Sequence, residues 1–192
     1  MKERIWFTIW IGFFLFTLIA DRKQASGADI DFLLDRGRQA FYWSVEQENQ
    51  VDTTLKVFQE ISRREPAYKG LAMTYIGAAY TLKGKHAFLP QKKFGYVRDG
   101  VLIMEQGLQE APGDLEALFI FGMTCYHLPF FFGRRNEAMQ ALRRIVGLLE
   151  KGYQQYDPRL VLNVVRFIEE EITLNSRERL IIHTIIEDIG DQ

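Results

Sequence analysis

Cys125 and His127 are the one thiol and the one imidazole close enough in sequence to suggest a nucleophile with its base. On a helix, residues two apart point about 200° away from each other, so the two share no proton. Cys125 shares a face with Leu118, Phe121 and Gly122, where a buried, inert thiol is the expectation. His86, His127 and His183 lie in three different segments and lack the i, i+4 spacing of a helical metal pair. Glu169-Glu170-Glu171 reads as a solvated face near a helix end. No glycine-rich phosphate loop, Gly-x-Ser-x-Gly elbow or dinucleotide fingerprint occurs. The chain is therefore expected not to be an enzyme, and no cofactor or metal is expected.

Binding chemistry is better represented. Between Leu82 and Val97 the chain carries Lys83, Lys85, Lys92 and Lys93 interleaved with His86, Phe88, Phe94 and Tyr96, and no acid occurs until Asp99. A second stretch reads Leu128-Pro129-Phe130-Phe131-Phe132-Gly133-Arg134-Arg135. Aromatic rings beside cations can hold a carboxylate, a phosphate or a lipid headgroup through charge-assisted hydrogen bonds and stacking. The competing reading is a small satellite core: Phe88, Phe94, Phe130, Phe131 and Phe132 plug the longer loops while Lys and Arg solvate them. Three consecutive Phe do not share one helical face, so at least one should look into a cleft or a neighbour.

These stretches sit between helical patterns. Gly77, flanked by Met73, Ile76 and Tyr80, suits the small residue of one helix, and Gly100, Met104 and Gly107 suit the inner face of a second that ends at Pro112. The order returns with Leu118, Phe121, Gly122 and Cys125, then Ala138, Leu142 and Ile145. Upstream, Asp29 or Asp31 can cap a helix carrying Phe32, Leu33, Ala40 and Phe41, a polar segment from Val45 to Asp52 turns the chain, and Leu55, Phe58 and Ile61 mark a helix closed by Pro66. Downstream, Asp157-Pro158 starts a helix with the stripe Leu160, Val161, Val164, Val165 and Ile168. Asn175 or Ser176 starts the last one, where Ser176 with Arg179 lacks the Glu of a capping box. Little Val/Thr alternation and 47% apolar residues indicate an ordered, all-α chain. A net charge of −1 excludes a global pull toward nucleic acid.

The paired helices resemble the tetratricopeptide repeat, a helix-turn-helix unit of about 34 residues with small residues where the helices touch. The resemblance is clearest over residues 70–152 and implies an α-solenoid of about four hairpins in a right-handed superhelix, spanning residues 29–192 with caps at both ends. The family places about twelve residues between the two small residues, whereas Gly77 to Gly100 is 23 and Gly122 to Ala138 is 16. Each hairpin thus has an insertion, and stacking would bring the two insertions together at one edge. The family's concave positions fall on Leu71, Thr74, Ala78, Thr81 and Leu82, then on Glu116, Phe119, Met123, Tyr126 and His127. The resemblance implies an apolar groove suited to a peptide or helix.

Lys2 and Arg4 precede an apolar run from Ile5 to Ala20, followed by Ala25-Ser26-Gly27. As a helix the run would span about 24 Å, short of the roughly 30 Å hydrocarbon core. Residues 1–28 read either as a cleaved signal peptide or as an uncleaved anchor that associates with the membrane through residues 5–20. Both readings place the rest of the chain outside the cytoplasm, in the periplasm or cell envelope. The first functional expectation is a scaffold that holds an envelope protein or peptide through Phe119, Met123, Tyr126 and His127. The edge residues His86, Lys92, Lys93, Phe94, Phe131, Arg134 and Arg135 would assist it. The second is a carrier of an anionic or lipid-like small ligand, its pocket closed by the aromatic insertions. Open loops favour the first reading and packed aromatic lids the second.

Overall fold

The structure, a computed structural model, describes residues 28–190. The expected signal or anchor segment falls, up to residue 27, outside them. The described residues form eight α-helices and no strand: α1 (28–44), α2 (Glu48–Arg64), α3 (Lys69–His86), α4 (Pro90–Glu110), α5 (Leu115–His127), α6 (Arg135–Gly152), α7 (Pro158–Glu171) and α8 (Ser176–Gly190). Among the described residues no helix is long and apolar enough to cross a membrane.

Helix ends follow from local chemistry. Asp114 caps α5 by accepting from the Ala117 amide, and Asp157 caps α7 by accepting from the Arg159 and Leu160 amides, with Pro158 in the first turn. Two expectations are corrected, and the open choice of Asn175 or Ser176 at the last helix is decided. Residue 28 is already helical, so neither Asp29 nor Asp31 caps α1, and Asp29 instead accepts from Arg64 Nη1 at 2.6 Å. The turn expected from Val45 to Asp52 is much shorter, because α2 begins at Glu48. At the start of α8, Asn175 accepts from the Glu178 amide while Glu178 accepts from the Asn175 amide, both at 2.9 Å. That reciprocal pair is a capping box anchored one residue before Ser176.

The closest helix contact joins α3 to α4. Gly70, Gly77 and Gly84 recur every seven residues on α3, as do Gly100 and Gly107 on α4, the spacing that keeps one face toward an antiparallel partner. A Cβ on Gly77 would lie 2.4 Å from the Gly100 carbonyl oxygen, and one on Gly107 would lie 2.7 Å from that of Gly70. The backbones therefore touch, and only glycine fits. This seam also corrects the expected first insertion. The stretch from Lys83 to Tyr96 is mostly helix, with only Ala87, Phe88 and Leu89 outside it. Gly84 extends the seam to Val97, and Pro90 starts α4 with a preset φ.

On its other side α3 packs against α1 and α2. Tyr75 stacks on Phe58 at 4.1 Å between centroids and meets Phe41 edge-on at 5.1 Å. The α5–α6 contact is looser than the glycine seam. A Cβ on Gly122 would meet the Leu142 side chain at 2.9 Å but backbone only at 3.6 Å. Val161, Val164, Val165 and Ile168 of α7 are buried in one continuous core with Ile182 and Ile185 of α8.

These contacts sort the glycines. Gly77→Ala drives Cβ into backbone that has no rotamer to yield, and it should cost about 3 kcal/mol. Gly147 of α6 has nothing within 4 Å of a Cβ, so Gly147→Ala should stabilise by about 0.5–1 kcal/mol through backbone entropy. Urea unfolding of both variants measures this. Equal effects would mean that α3 and α4 are not in backbone contact.

Candidate functional site

The C-terminal ends of α1, α3 and α5 and the N-terminal end of α4 surround an apolar pocket of about 760 Å³. Its floor is the buried set Phe41, Thr81, Gly84 and Val97. Met123, Leu82 and Leu128 line it as half-buried residues. Phe94 from α4 meets Phe131 at 5.6 Å and Phe132 at 5.4 Å between centroids, so the two aromatic stretches do come together over the pocket. The α5–α6 connection is shaped for this role: Phe130–Phe132 form one 3-10 turn, which Gly133 ends at φ +68, a left-handed conformation natural to glycine. The rim carries Tyr42, Lys85, Lys93 and His127.

Of the residues expected to bind, Met123, His127, Phe94, Lys93 and Phe131 line this pocket. The others are placed elsewhere. Phe119 is 3% exposed and lies edge-on to Phe167 of α7 at 5.4 Å. Tyr126 donates its hydroxyl to the Glu171 carbonyl at 2.6 Å, with the Arg135 guanidinium 3.4 Å above its ring. Arg134 is held by Glu105 at 2.8 Å and Glu137 at 3.3 Å. His86 bonds the Ser44 carbonyl at 2.8 Å and joins the ends of α3 and α1. Lys92 is exposed, without a carboxylate partner among the described residues. Of the expected concave groove, Leu71, Thr74, Ala78, Glu116 and Phe119 are buried in the core, whereas Thr81, Leu82, Met123 and His127 line the pocket. Thr74 stands in the glycine seam, Arg38 of α1 covers Glu116, and Phe167 of α7 covers Phe119.

A part-buried polar cluster that the sequence reading did not single out lies deeper. Arg38 of α1 donates Nε and Nη2 to the two oxygens of Glu116 at 2.7 Å each, and Tyr75 adds its hydroxyl to Oε1 at 2.6 Å. Glu116 is only 7% exposed, so this bidentate pair with its third hydrogen bond replaces the water it has lost. The hydrogen bond to Glu116 raises the Arg38 pKa above its ordinary value. Burial first, then the Glu116 charge, holds the Tyr75 phenol well above 10.0. The available signal was a lone carboxylate opening the otherwise uncharged run Leu115 to Cys125. Apart from an Arg38 Nη1 bond to Asp35 at 3.1 Å, the three groups are spent on one another, which makes the cluster a brace between α1, α3 and α5.

Cys125 is buried, and its thiol is pushed up to about 12 by that burial, so it is no nucleophile at neutral pH. His183 faces Glu169 at 3.2 Å between exposed side chains of α8 and α7. Among the described residues no three His, Cys, Asp or Glu side chains converge as a metal set would. No known family, curated protein or solved structure matches this chain.

The brace carries a pH signature. Below pH about 10 Tyr75 is protonated whether the chain is folded or not. As pH rises further the unfolded chain releases the proton and the folded chain does not, so stability falls until the raised folded value is passed. Tyr75→Phe should therefore lose stability less steeply than the native chain above pH 10, by about 1.4 kcal/mol per pH unit. Urea midpoints at a series of alkaline pH values give the comparison, and identical slopes would place Tyr75 in water.

Proposed function

We propose that the chain is a carrier of an apolar, chain-like small ligand such as the acyl group of a lipid, held in the pocket beneath Phe94, Phe131 and Phe132. The observation that carries this reading is the aromatic cluster of Phe94, Phe131 and Phe132 that borders about 760 Å³ of apolar, partly open space. That volume is in the range of ligand sites, and its lining is the apolar surface with few polar groups that such sites use. Lys85 and Lys93 at the rim suit an anionic head at the open end of such a ligand. A peptide laid along α3 and α5 would instead need Thr74, Ala78 and Phe119 exposed, and they are buried. The carrier reading is therefore preferred over the scaffold reading.

In this proposal the helices form a stack of tetratricopeptide-like hairpins, α1 with α2, α3 with α4, α5 with α6 and α7 with α8. The apolar run Ile5 to Ala20 sends the chain to the cell envelope or tethers it there. The role is binding, with no chemical step assigned to the protein.

A dansyl-labelled fatty acid should bind the full chain with a blue-shifted emission. Met123→Trp places a large ring in the pocket from a half-buried position that tolerates repacking. It should weaken binding at least about tenfold, about 1.4 kcal/mol, while the melting curve is retained. Absence of binding to the native chain, or full binding by Met123→Trp, would refute the carrier reading.

A further inference from the structure

We propose that the loop tips carrying Phe88 and Phe130 insert into an anionic lipid bilayer and dock the pocket end of the protein onto it. The docking stands on the tips themselves; it adds to the carrier reading a source from which the ligand would enter.

Phe88 is 94% exposed and Phe130 is 92% exposed. Each sits in a short connection between two helices, α3 to α4 and α5 to α6, and both connections lie at the same end of the molecule. Holding two Phe rings in water beside a pocket that could have buried them costs solvation without any packing gain. Behind the tips the surface stays apolar, with Leu89, Phe94 and Phe131 each about half exposed. This is a contiguous apolar patch at an extremity of the fold, of the kind that marks a contact with another phase or partner. Trp43, 53% exposed at the end of α1, adds a ring of the type favoured at the membrane interface.

Charge selects the bilayer. From Pro66 to Arg98 and from Ala117 to Asn136 the chain has no Asp or Glu, although its net charge is −1. Lys83 is matched by Asp52 and Lys85 by Glu46, both from the α1–α2 side. Lys92, Lys93 and Arg135 have no carboxylate partner among the described residues, and Lys93 and Arg135 donate to the carbonyls of Lys85 and Tyr126. Protruding rings flanked by cations without a carboxylate partner match an apolar layer lying beneath anionic headgroups. A protein partner would need a surface cupped around two separate protrusions. The fluid bilayer supplies that shape without preformed complementarity.

The buried Cys125 makes the test clean, because a thiol reagent will label an added surface cysteine in preference to it. Phe88→Cys, Phe130→Cys and, as a control on the exposed face of α8, Leu180→Cys are each labelled in the full chain with an environment-sensitive dye. The labelled proteins are mixed with vesicles of phosphatidylcholine, with or without phosphatidylglycerol, carrying brominated acyl chains. Both tip probes should blue-shift and be quenched by bromine on anionic vesicles, more weakly on neutral ones, and the probe at 180 should do neither. Adding Lys92→Glu and Lys93→Glu should reduce the tip signals at least about threefold. Because the readout is local, binding through residues 5–20 does not imitate it. Aqueous emission at both tips on vesicles that carry the protein would overturn the docking. So would a blue shift that needs only high protein concentration, since the tips would then be covering one another between copies. Either result leaves fatty-acid binding in solution to be judged on the pocket alone.

Discussion

Everything at the candidate site depends on the backbone contact between α3 and α4. The glycines at 70, 77, 84, 100 and 107 bring two helices together until each faces backbone of the partner helix or its end, with only the Thr74, Thr81, Val97 and Met104 side chains fitted alongside. Such a contact has little freedom to slide or rotate, because each glycine opposes backbone at a fixed point of the partner. It runs to Gly84 and Val97, which are themselves part of the pocket floor. The position of Phe94 over the pocket, and of Phe88 beyond it, thus follows from a seam that ends about one turn away.

A second restraint acts across the first. Arg38, Glu116 and Tyr75 lie on α1, α5 and α3, and the hydrogen bonds of the first two are charge-assisted. A buried ion pair of this kind is a weak source of net stability, since desolvation offsets most of the attraction. Its value is positional: a shift of α1 along α3 would strand Glu116 without its cation. No buried side-chain nitrogen or oxygen among the described residues lacks a partner. The buried polar groups are therefore satisfied within the fold, by the Arg38–Glu116–Tyr75 cluster and by pairs such as Ser44 with Thr54, and the pocket lining is left mostly to apolar and aromatic side chains.

That division gives the molecule two unlike ends. Around Arg64 and Lys69 the surface is laced with ion pairs to Asp29, Glu60 and Glu110. At the other end Phe88 and Phe130 face water beside cations that lack carboxylate partners. Surface ion pairs contribute little to stability one by one, but they leave the first end fully hydrated. The pocket end presents ring surface that water does not favour, and it is where a ligand or a bilayer gains most by contact.

The amino-acid sequence by itself determined the helical class, most helix ends and the small residues at helix contacts. These are local matters: Asp157-Pro158 caps and starts α7 through its own atoms, and Gly77 and Gly122 are legible because a missing side chain within an apolar helix implies a close neighbour. The meeting of the aromatic stretches was legible for the same reason, since both follow helices that pack side by side. What only the tertiary structure decided is which faces remained open. Thr74, Ala78 and Phe119 have the composition of a groove, yet their burial depends on α1 and α7, whose packing is written in no residue near them. Arg134 and Arg135 looked like free cations until Glu105 and the Tyr126 ring were brought beside them. Exposure and pairing belong to the assembled fold because each is set by residues distant in sequence, and a linear pattern records only what a residue could contact.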